Sequence, residues 1–337
     1  MKIIIPMAGW GSRLRPHTLT IPKPMVPIAG KPIVQRLVEG LVQTIDEDIE
    51  EINFVIREEF GRETEEKLLS VAKNLGTKGI ISYQDSPEGT AHAIYCAKES
   101  LNGNIIVAFA DTLFRTDFKI DTSKDGVIWV SKVEDPKAFG VVKLDKEGTI
   151  TDFVEKPETF VSDLAIIGIY YFKDGKALKT EIEYLLNNDL REKGEFQITN
   201  ALENLKKKGA KFVPGTVTEW LDCGNKDACV YSNERVLENA KGKEKLQFST
   251  NFENSIVIEP CFIGENVTIK NSIVGPHVSL GKNTKVENSI VKNSIIQTHS
   301  TIKNVILDRA MIGNKVVLNG KAENHSLGDY TNINYEA

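Results

Sequence analysis

Ile3-Ile4-Ile5-Pro6-Met7-Ala8-Gly9-Trp10-Gly11-Ser12-Arg13-Leu14-Arg15-Pro16 opens the chain as an apolar run that breaks abruptly into glycine and arginine. Residues 3–7 suit a buried strand, and they are too few for a membrane span or the core of a signal peptide. Behind them Gly9 and Gly11 let backbone N–H groups approach an anion, and Arg13 can fork a planar guanidinium onto phosphoryl oxygens. In an open α/β sheet such a loop lies where ligands bind, beyond the carboxyl end of a strand. Two familiar phosphate loops are excluded by the residues themselves. Leu14 occupies the third glycine position of G-x-G-x-x-G, and Gly30-Lys31-Pro32 lacks both the hydroxyl and the upstream glycine of G-x-x-x-x-G-K-[ST].

Outward from this stretch, short apolar runs alternate with amphipathic ones. Val34, Leu37, Val38, Leu41, Val42 and Ile45 recur at helical spacing, and 52–56 reads as a second strand. A helix near 63–75, a strand 79–83, a helix over about 90–101 and a strand 104–110 follow. This order predicts a Rossmann-like, doubly wound α/β sheet. Residues 126–172 are strand-rich, including a strand over 149–154, which predicts an antiparallel extension that makes the sheet mixed and carries part of the pocket.

The far end of the chain has a different texture: 11 asparagines fall in residues 1–250 and 13 in the last 87. Asn254-Ser255-Ile256, Asn271-Ser272-Ile273, Asn288-Ser289-Ile290 and Asn304-Val305-Ile306 recur at intervals of 17, 17 and 16 residues. Within that period an aliphatic residue returns every five or six positions, from Ile263 and Ile269 through Leu280 and Ile302 to Leu318. Three short faces per coil fit this, as in a parallel β-helix of hexapeptide repeats. The aliphatic side chains are expected inside the prism, with the asparagines also inward and laddering from coil to coil. These readings divide the chain into a part for chemistry, 1–235, a helical connector, 236–250, drawn from the charged stretch of about 234–247, and a β-helix of about four coils, 251–337.

Composition bounds the partners. With 26% charged residues, 41% apolar ones and a net charge of −5, the chain is a soluble globular type without a basic stripe for nucleic acid or an anionic membrane. Cys96, Cys223, Cys229 and Cys261 form no C-x-x-C pair, which predicts reduced thiols and a cytoplasmic setting rather than zinc or disulfides.

Beyond Arg13, Lys23 stands between Pro22 and Pro24 and adds a second cation to the same mouth. This glycine loop closely resembles the signature of sugar-phosphate nucleotidylyltransferases, and the resemblance continues in order over about 1–235. Gln84-Asp85-Ser86-Pro87-Glu88-Gly89-Thr90-Ala91 is similar to the family's base-recognition segment. Ala108-Phe109-Ala110-Asp111 resembles the strand that ends in a metal-binding aspartate, and Trp220-Leu221-Asp222-Cys223-Gly224 the region supplying a second. Phe139-Gly140-Val141-Val142, Val154-Glu155-Lys156-Pro157 and Ile167-Gly168-Ile169-Tyr170 are similar to the sugar-phosphate segments. Trp10 stands where the family often has a small residue, and Thr112 where many members have asparagine.

The resemblance implies a nucleotidyltransferase domain followed by a left-handed β-helix. It implies Mg2+-dependent transfer from a nucleoside triphosphate, dTTP or UTP before others, to a sugar 1-phosphate, glucose 1-phosphate before others. It implies Arg13 and Lys23 as catalytic cations and Asp111 and Asp222 as metal ligands. It gives Ala8, Gly9, Gly11, Ser12, Gln84, Gly89 and Thr90 to the nucleotide, and Phe139, Gly140, Glu155, Lys156, Ile167 and Tyr170 to the sugar phosphate. A mannose-1-phosphate guanylyltransferase and a non-catalytic regulatory homologue remain as rival readings. His17 and His92 fall near the nucleotide loops, but an attacking phosphate is already ionised and needs no imidazole, so both are expected to be structural or at most peripheral contacts. His277 and His299 lie within the coils, where the prism is short for acyl transfer. Stacked coils expose flat faces and an open end, which predicts a homo-oligomer.

Overall fold

The computed structural model describes residues 1–116, 119–242, 246–248, 250–321, 328 and 331. The chain forms two units, Met1–Ser232 and Asn233–Ala337. In chain order the strands of the first are β1 (Lys2–Pro6), the hairpin β2 (Pro27–Ile28) and β3 (Lys31–Pro32), β4 (Glu51–Ile56), β5 (Lys78–Tyr83), β6 (Ile105–Ala108), β7 (Thr112–Arg115), β8 (Gly126–Lys132), β9 (Gly140–Leu144), β10 (Ile150–Glu155), β11 (Leu164–Phe172), β12 (Phe212–Thr216) and β13 (Glu219–Asp222). The helices are α1 (Ile33–Gln43), α2 (Gly61–Asn74), α3 (Thr90–Tyr95), α4 (Gly175–Asn187), α5 (Ile198–Lys207) and α6 (Lys226–Ala240).

The sheet is mixed, as expected. Its parallel half runs β6-β1-β4-β5, and β11 joins β6 antiparallel, followed by β9 and β10; β8 pairs with β11 and is flanked by β12. The apolar run that opens the chain is buried on both faces, with Ile3, Ile4 and Ile5 all without exposure. Ile4 packs into a core shared with Ile94, Leu178, Ile182, Ala201 and Leu202, which places α3, α4 and α5 on one side of the sheet. By strand alternation Ile3 and Ile5 face the other side. Asp174 caps α4, its carboxylate accepting from the Lys176 and Ala177 N–H groups and filling two of the orphan donors of a first turn.

Two helices differ from expectation. The one expected over 90–101 is regular only as Thr90–Tyr95; the next residues continue in turns closed by Ala97 N–H to Ile94 and Ser100 N–H to Ala97 carbonyls. The charged helix expected near 234–247 spans Lys226–Ala240.

Within the second unit, residues 250–319 form a three-faced parallel β-helix; 322–327, 329–330 and 332–337 of the expected β-helix stretch lie outside the described residues. One face stacks Thr250–Glu253, Val267–Lys270, Lys285–Glu287, Thr301–Lys303 and Val317–Asn319; the second stacks Ile256–Val257, Ile273–Val274, Ile290–Lys292 and Ile306–Asp308; the third stacks Cys261–Ile263, Val278–Leu280, Ile295–Ile296 and Met311–Ile312. The inward aliphatics behave as predicted: Ile263, Ile269, Val274, Leu280, Val286, Val291 and Ile302 form one unexposed core. The asparagines correct the expectation. Asn254, Asn271, Asn288, Asn304 and Asn319 do ladder, Nδ2 to Oδ1 at 3.0–3.4 Å, but on the outside of the coil. The first four adopt left-handed backbone at the corners, with φ of 45–55°, a conformation asparagine tolerates better than other side chains. The interior ladder is made by serines instead: Ser255, Ser272 and Ser289 each accept from the backbone N–H one coil on.

Candidate functional site

Four parallel strands end on one side of the sheet, and each delivers part of a cleft of roughly 450 Å³, within the range of small-ligand sites. β1 delivers the loop from Ala8 to Arg13, β4 delivers Arg57, β5 delivers Gln84, and β6 delivers Phe109, Ala110 and Asp111. Register explains the meeting. Met7 N–H donates to the Val55 carbonyl at 2.8 Å, Gln84 N–H to Ile56 at 2.8 Å, and Ala110 N–H to Pro6 at 3.4 Å, so the four chain ends leave the sheet side by side.

The glycine loop is shaped by two constraints. Gly11 takes φ 67°, and a Cβ there would stand 2.5 Å from the Lys23 Cβ, so only glycine lets the lysine stem pass underneath. The Lys23 side chain is 8% exposed and its Nζ meets Asp111 Oδ2 at 3.1 Å. Arg13 lines the cleft and is exposed. Trp10 does not close the pocket: its ring packs edge-on against Phe60 at 5.5 Å, with the Arg57 guanidinium 5.9 Å from the ring centroid. Arg57 also donates from Nε to the Ala8 carbonyl at 2.8 Å and so holds the loop's first turn.

On the opposite wall Gly89, φ 109°, allows Glu88 to Ala91 to pair with Phe196; a Cβ there would fall 2.5 Å from the Phe196 carbonyl oxygen. Thr90 Oγ1 accepts from the Ile198 N–H and donates to Gln197 Oε1, tying the start of α3 to that of α5. Gln84 is buried in the wall between them.

Asp111 and Asp222 come together through pairing of β7 with β13. Asp222 is the register partner of Thr112, and Cys223 N–H donates to the Asp111 carbonyl at 3.0 Å. Burial pushes the Asp222 carboxyl above its ordinary value, the Asp111 charge adds to this, and Lys23 and Arg13 pull it back. The two carboxylates thus share one field with the two cations. Gly224, next to them, lines the cleft.

The residues expected at the sugar phosphate form a second group, outside the lining of the cleft. Gly140 and Glu155 are register partners across β9 and β10, and Glu155 Oε2 accepts from Thr199 Oγ1 at 3.3 Å. Lys156, with φ 42°, lies 3.5 Å from Glu155 Oε1. The Phe139 ring meets Trp220, two residues before Asp222, at 5.2 Å. Ile167 and Tyr170 are buried rather than exposed to a ligand. Ile167 offers its carbonyl to Thr112 Oγ1, and the Tyr170 ring packs edge-on against Phe109 of the cleft. Burial, then the charges of Glu155 and Asp111, raises the Tyr170 phenol.

Arg57, Phe109, Glu195 and Thr199 take part without having been expected. Arg57 had a signal: it ends the second predicted strand, beside the loop that follows the first. Phe109 had one too, lying in the stretch read as the strand that ends in Asp111, whereas Glu195 and Thr199 enter by long-range pairing.

Residues 2–239 match the Nucleotidyl transferase family and residues 240–325 the GlmU-like C-terminal hexapeptide family. A low-salt glycan biosynthesis nucleotidyltransferase, Agl11 of Haloferax volcanii, is 32% identical over 73% of this chain and 68% of its own length. The bifunctional protein GlmU of Methanocaldococcus jannaschii is 31% identical over 77% of this chain, which spans 60% of that relative. A mannose-1-phosphate guanylyltransferase catalytic subunit beta of Drosophila melanogaster is 35% identical over 54% of this chain and 51% of its own length. Among solved structures, a UDP-glucose pyrophosphorylase complexed with UDP-glucose aligns with TM-score 0.57 at 26% identity, over 71% of this chain and 98% of that one. A glucose-1-phosphate thymidylyltransferase fold from Bacillus anthracis aligns with TM-score 0.59 at 24% identity, over 72% and 96%. The mixed sheet, the cleft at its parallel strand ends and the left-handed hexapeptide coil agree with these matches, and the chain belongs to the nucleotidyl transferase family, with a GlmU-like hexapeptide domain following its transferase domain in sequence.

Proposed function

We propose that this chain transfers a nucleotidyl group from a nucleoside triphosphate, dTTP or UTP first, to a sugar 1-phosphate, glucose 1-phosphate first, giving a nucleotide-sugar and pyrophosphate. The observation that carries this reading is the convergence of Arg13, Lys23, Asp111 and Gln84 on one cleft at the ends of four parallel strands. An oxygen of the sugar phosphate attacks the α-phosphorus in line, the α–β phosphoanhydride bond breaks, and pyrophosphate leaves with the bonding electrons. Both reactants are anions, so the site's task is to neutralise and align them.

In this reading the backbone of Ala8, Gly9, Gly11 and Ser12 cradles the triphosphate while Arg13 and Lys23 stabilise charge on the phosphoryl oxygens. Gln84, Gly89 and Thr90 receive the base. Lys156 takes the sugar-bound phosphate, Glu155 accepts from a sugar hydroxyl, Gly140 and Phe139 offer backbone and an apolar wall, and Ile167 and Tyr170 back them. Asp111 and Asp222 would hold Mg2+: the raised Asp222 carboxyl beside Asp111 is a concentration of negative charge that a divalent cation relieves. The ion supplies charge neutralisation at the phosphates.

The guanylyltransferase relative keeps GTP with mannose 1-phosphate as the second reading. Retention of Arg13, Lys23, Asp111 and Asp222 favours an enzyme over a regulatory homologue. A matrix of nucleoside triphosphates against sugar 1-phosphates, read by pyrophosphate release, tests the reading and separates these substrates; a matrix with no release would contradict it. We also infer self-association through the β-helix, where Ile256, Ile290 and Ile306 stand exposed on one face. The free thiols of Cys96, Cys223, Cys229 and Cys261 support a reducing, cytoplasmic setting. No helix among the described residues is long and apolar enough to cross a membrane.

A further inference from the structure

Gln84 is 7% exposed as a residue and lines the cleft. Its amide nitrogen lies 3.4 Å from the Gly89 carbonyl oxygen and 3.1 Å from His92 Nδ1. A carbonyl oxygen only accepts, so the end of the amide that meets Gly89 is the NH2 group. A donor on that side requires a lone pair on His92 Nδ1, which puts the proton of the neutral ring on Nε2. Nε2 faces Glu88 Oε1 at 3.9 Å, and Glu88 is itself held by Ser86 Oγ at 2.8 Å and Arg191 Nη2 at 2.9 Å. The amide nitrogen of Gln84 is therefore committed to the protein, while Oε1 has no intramolecular hydrogen-bond partner among the described residues.

We propose that His92 is a positioning residue: it fixes the Gln84 amide with Oε1 as the free group, so that the site takes bases with an imino N–H on their pairing edge and rejects those with a bare ring nitrogen there. Uracil and thymine present N3–H and guanine presents N1–H to such an acceptor. Cytosine N3 and adenine N1 are acceptors themselves, and each would leave two lone pairs opposed in a largely buried wall. The geometry gives His92 a role in specificity without any part in proton transfer.

This inference rests on the nucleotidyl-transfer reading, and its test separates the two. Pyrophosphate release is measured with UTP, dTTP, GTP, CTP and ATP at saturating sugar 1-phosphate, for wild type, His92→Leu, His92→Asn and His92→Lys, each checked by thermal melt. Wild type is expected to prefer one or more of UTP, dTTP and GTP over CTP and ATP. His92→Leu, which removes the shorter of the two contacts that hold the amide and leaves only the 3.4 Å one to Gly89, should narrow that preference in kcat/KM by about tenfold, through KM of the preferred triphosphate rather than kcat. His92→Asn offers an amide oxygen in place of Nδ1 and should restore the preference. His92→Lys, a donor only, opposes the amide NH2 that the Gly89 carbonyl calls for and should narrow the preference at least as far as His92→Leu; it carries the test if the leucine variant does not fold. Equal use of CTP or ATP by wild type would overturn the inference while leaving nucleotidyl transfer standing. So would an unchanged preference in His92→Leu and His92→Lys, or a fall in kcat common to all five triphosphates. No pyrophosphate release from any triphosphate in wild type would overturn both.

Discussion

Lys23 Nζ stands 3.1 Å from Asp111 Oδ2, which joins the loop after β1 to the end of β6 by a single ion pair. The lysine side chain is 8% exposed and the aspartate 46%, so the cation comes from beneath and the carboxylate keeps one side open to the cleft. A largely buried ammonium needs such a partner, and in the proposed reaction both groups face the phosphates.

Asp111→Asn removes the charge with little change in volume. It should lower pyrophosphate release by at least about 100-fold, the usual loss for one electrostatic element of a phosphoryl-transfer site. The circular dichroism spectrum should stay native, because the aspartate is half open to solvent, while the melting point falls as Lys23 loses its partner. Near-normal turnover would remove Asp111 from the metal site.

Gly11→Ala and Gly9→Ala should differ although both lie in the same loop. At Gly11 the alanine must adopt φ 67° with its Cβ 2.5 Å from Lys23, whereas nothing lies within 4 Å of a Cβ at Gly9. Gly11→Ala should cost about 1–3 kcal/mol of stability and displace Lys23, cutting kcat by about tenfold or more. Gly9→Ala should melt like wild type. Equal melting of the two would show that Gly11 is not constrained by its neighbour.

Asp222→Asn should move activity and stability in opposite directions. The Asp222 carboxyl is raised above its ordinary 3.8 by burial and by the Asp111 charge. A raised folded value means that the folded chain binds this proton more tightly than the unfolded chain. Ionisation therefore begins to cost folding free energy as pH passes the ordinary value, and the cost is complete above the folded one. In metal-free buffer at pH 7 the variant should melt above wild type, with the gap closing as pH falls toward 3.8, while pyrophosphate release with Mg2+ drops by at least about 100-fold. A lower melting temperature at pH 7 would contradict the electrostatic account of this pair.

The glycine loop, Gln84 and Asp111 were legible in the sequence because each sits within a few residues of a strand end, and strand ends can be read from apolar runs; Lys23 was legible because it stands between two prolines. Arg57 depended on knowing that β4 lies beside β1, and Thr199 on how α5 meets β10. The sequence also announced the asparagine ladder but not its side of the wall. A period of 17 fixes which residues stack, whereas inward or outward direction depends on corner backbone: left-handed φ at Asn271 and Asn288 turns them outward and leaves the interior to Ser272 and Ser289. His92 was expected to be a structural histidine, since its contact with Gln84 appears only once both side chains are placed.

Within the β-helix, Leu280→Ala should cost about 2–5 kcal/mol, because an unexposed side chain in a coil core leaves a cavity that stacked strands cannot close. Asn288→Ala should cost no more than about 1–2 kcal/mol, reflecting left-handed backbone and two exposed ladder bonds. Chemical denaturation of the two variants checks the ranking. Ile306→Lys, at a residue 74% exposed, should leave the melting point unchanged and lower the sedimentation mass if this face joins copies of the chain. An unchanged mass would remove the face from any interface.

The central claim is that the α–β bond of a nucleoside triphosphate is the one broken. Parallel reactions with α-32P- and γ-32P-labelled UTP or dTTP, a sugar 1-phosphate and Mg2+ test it directly. The account predicts that the α label appears in a nucleotide-sugar, that the γ label appears in pyrophosphate, and that both require the sugar phosphate. Release of the γ label as orthophosphate, or its transfer to the sugar, would contradict it.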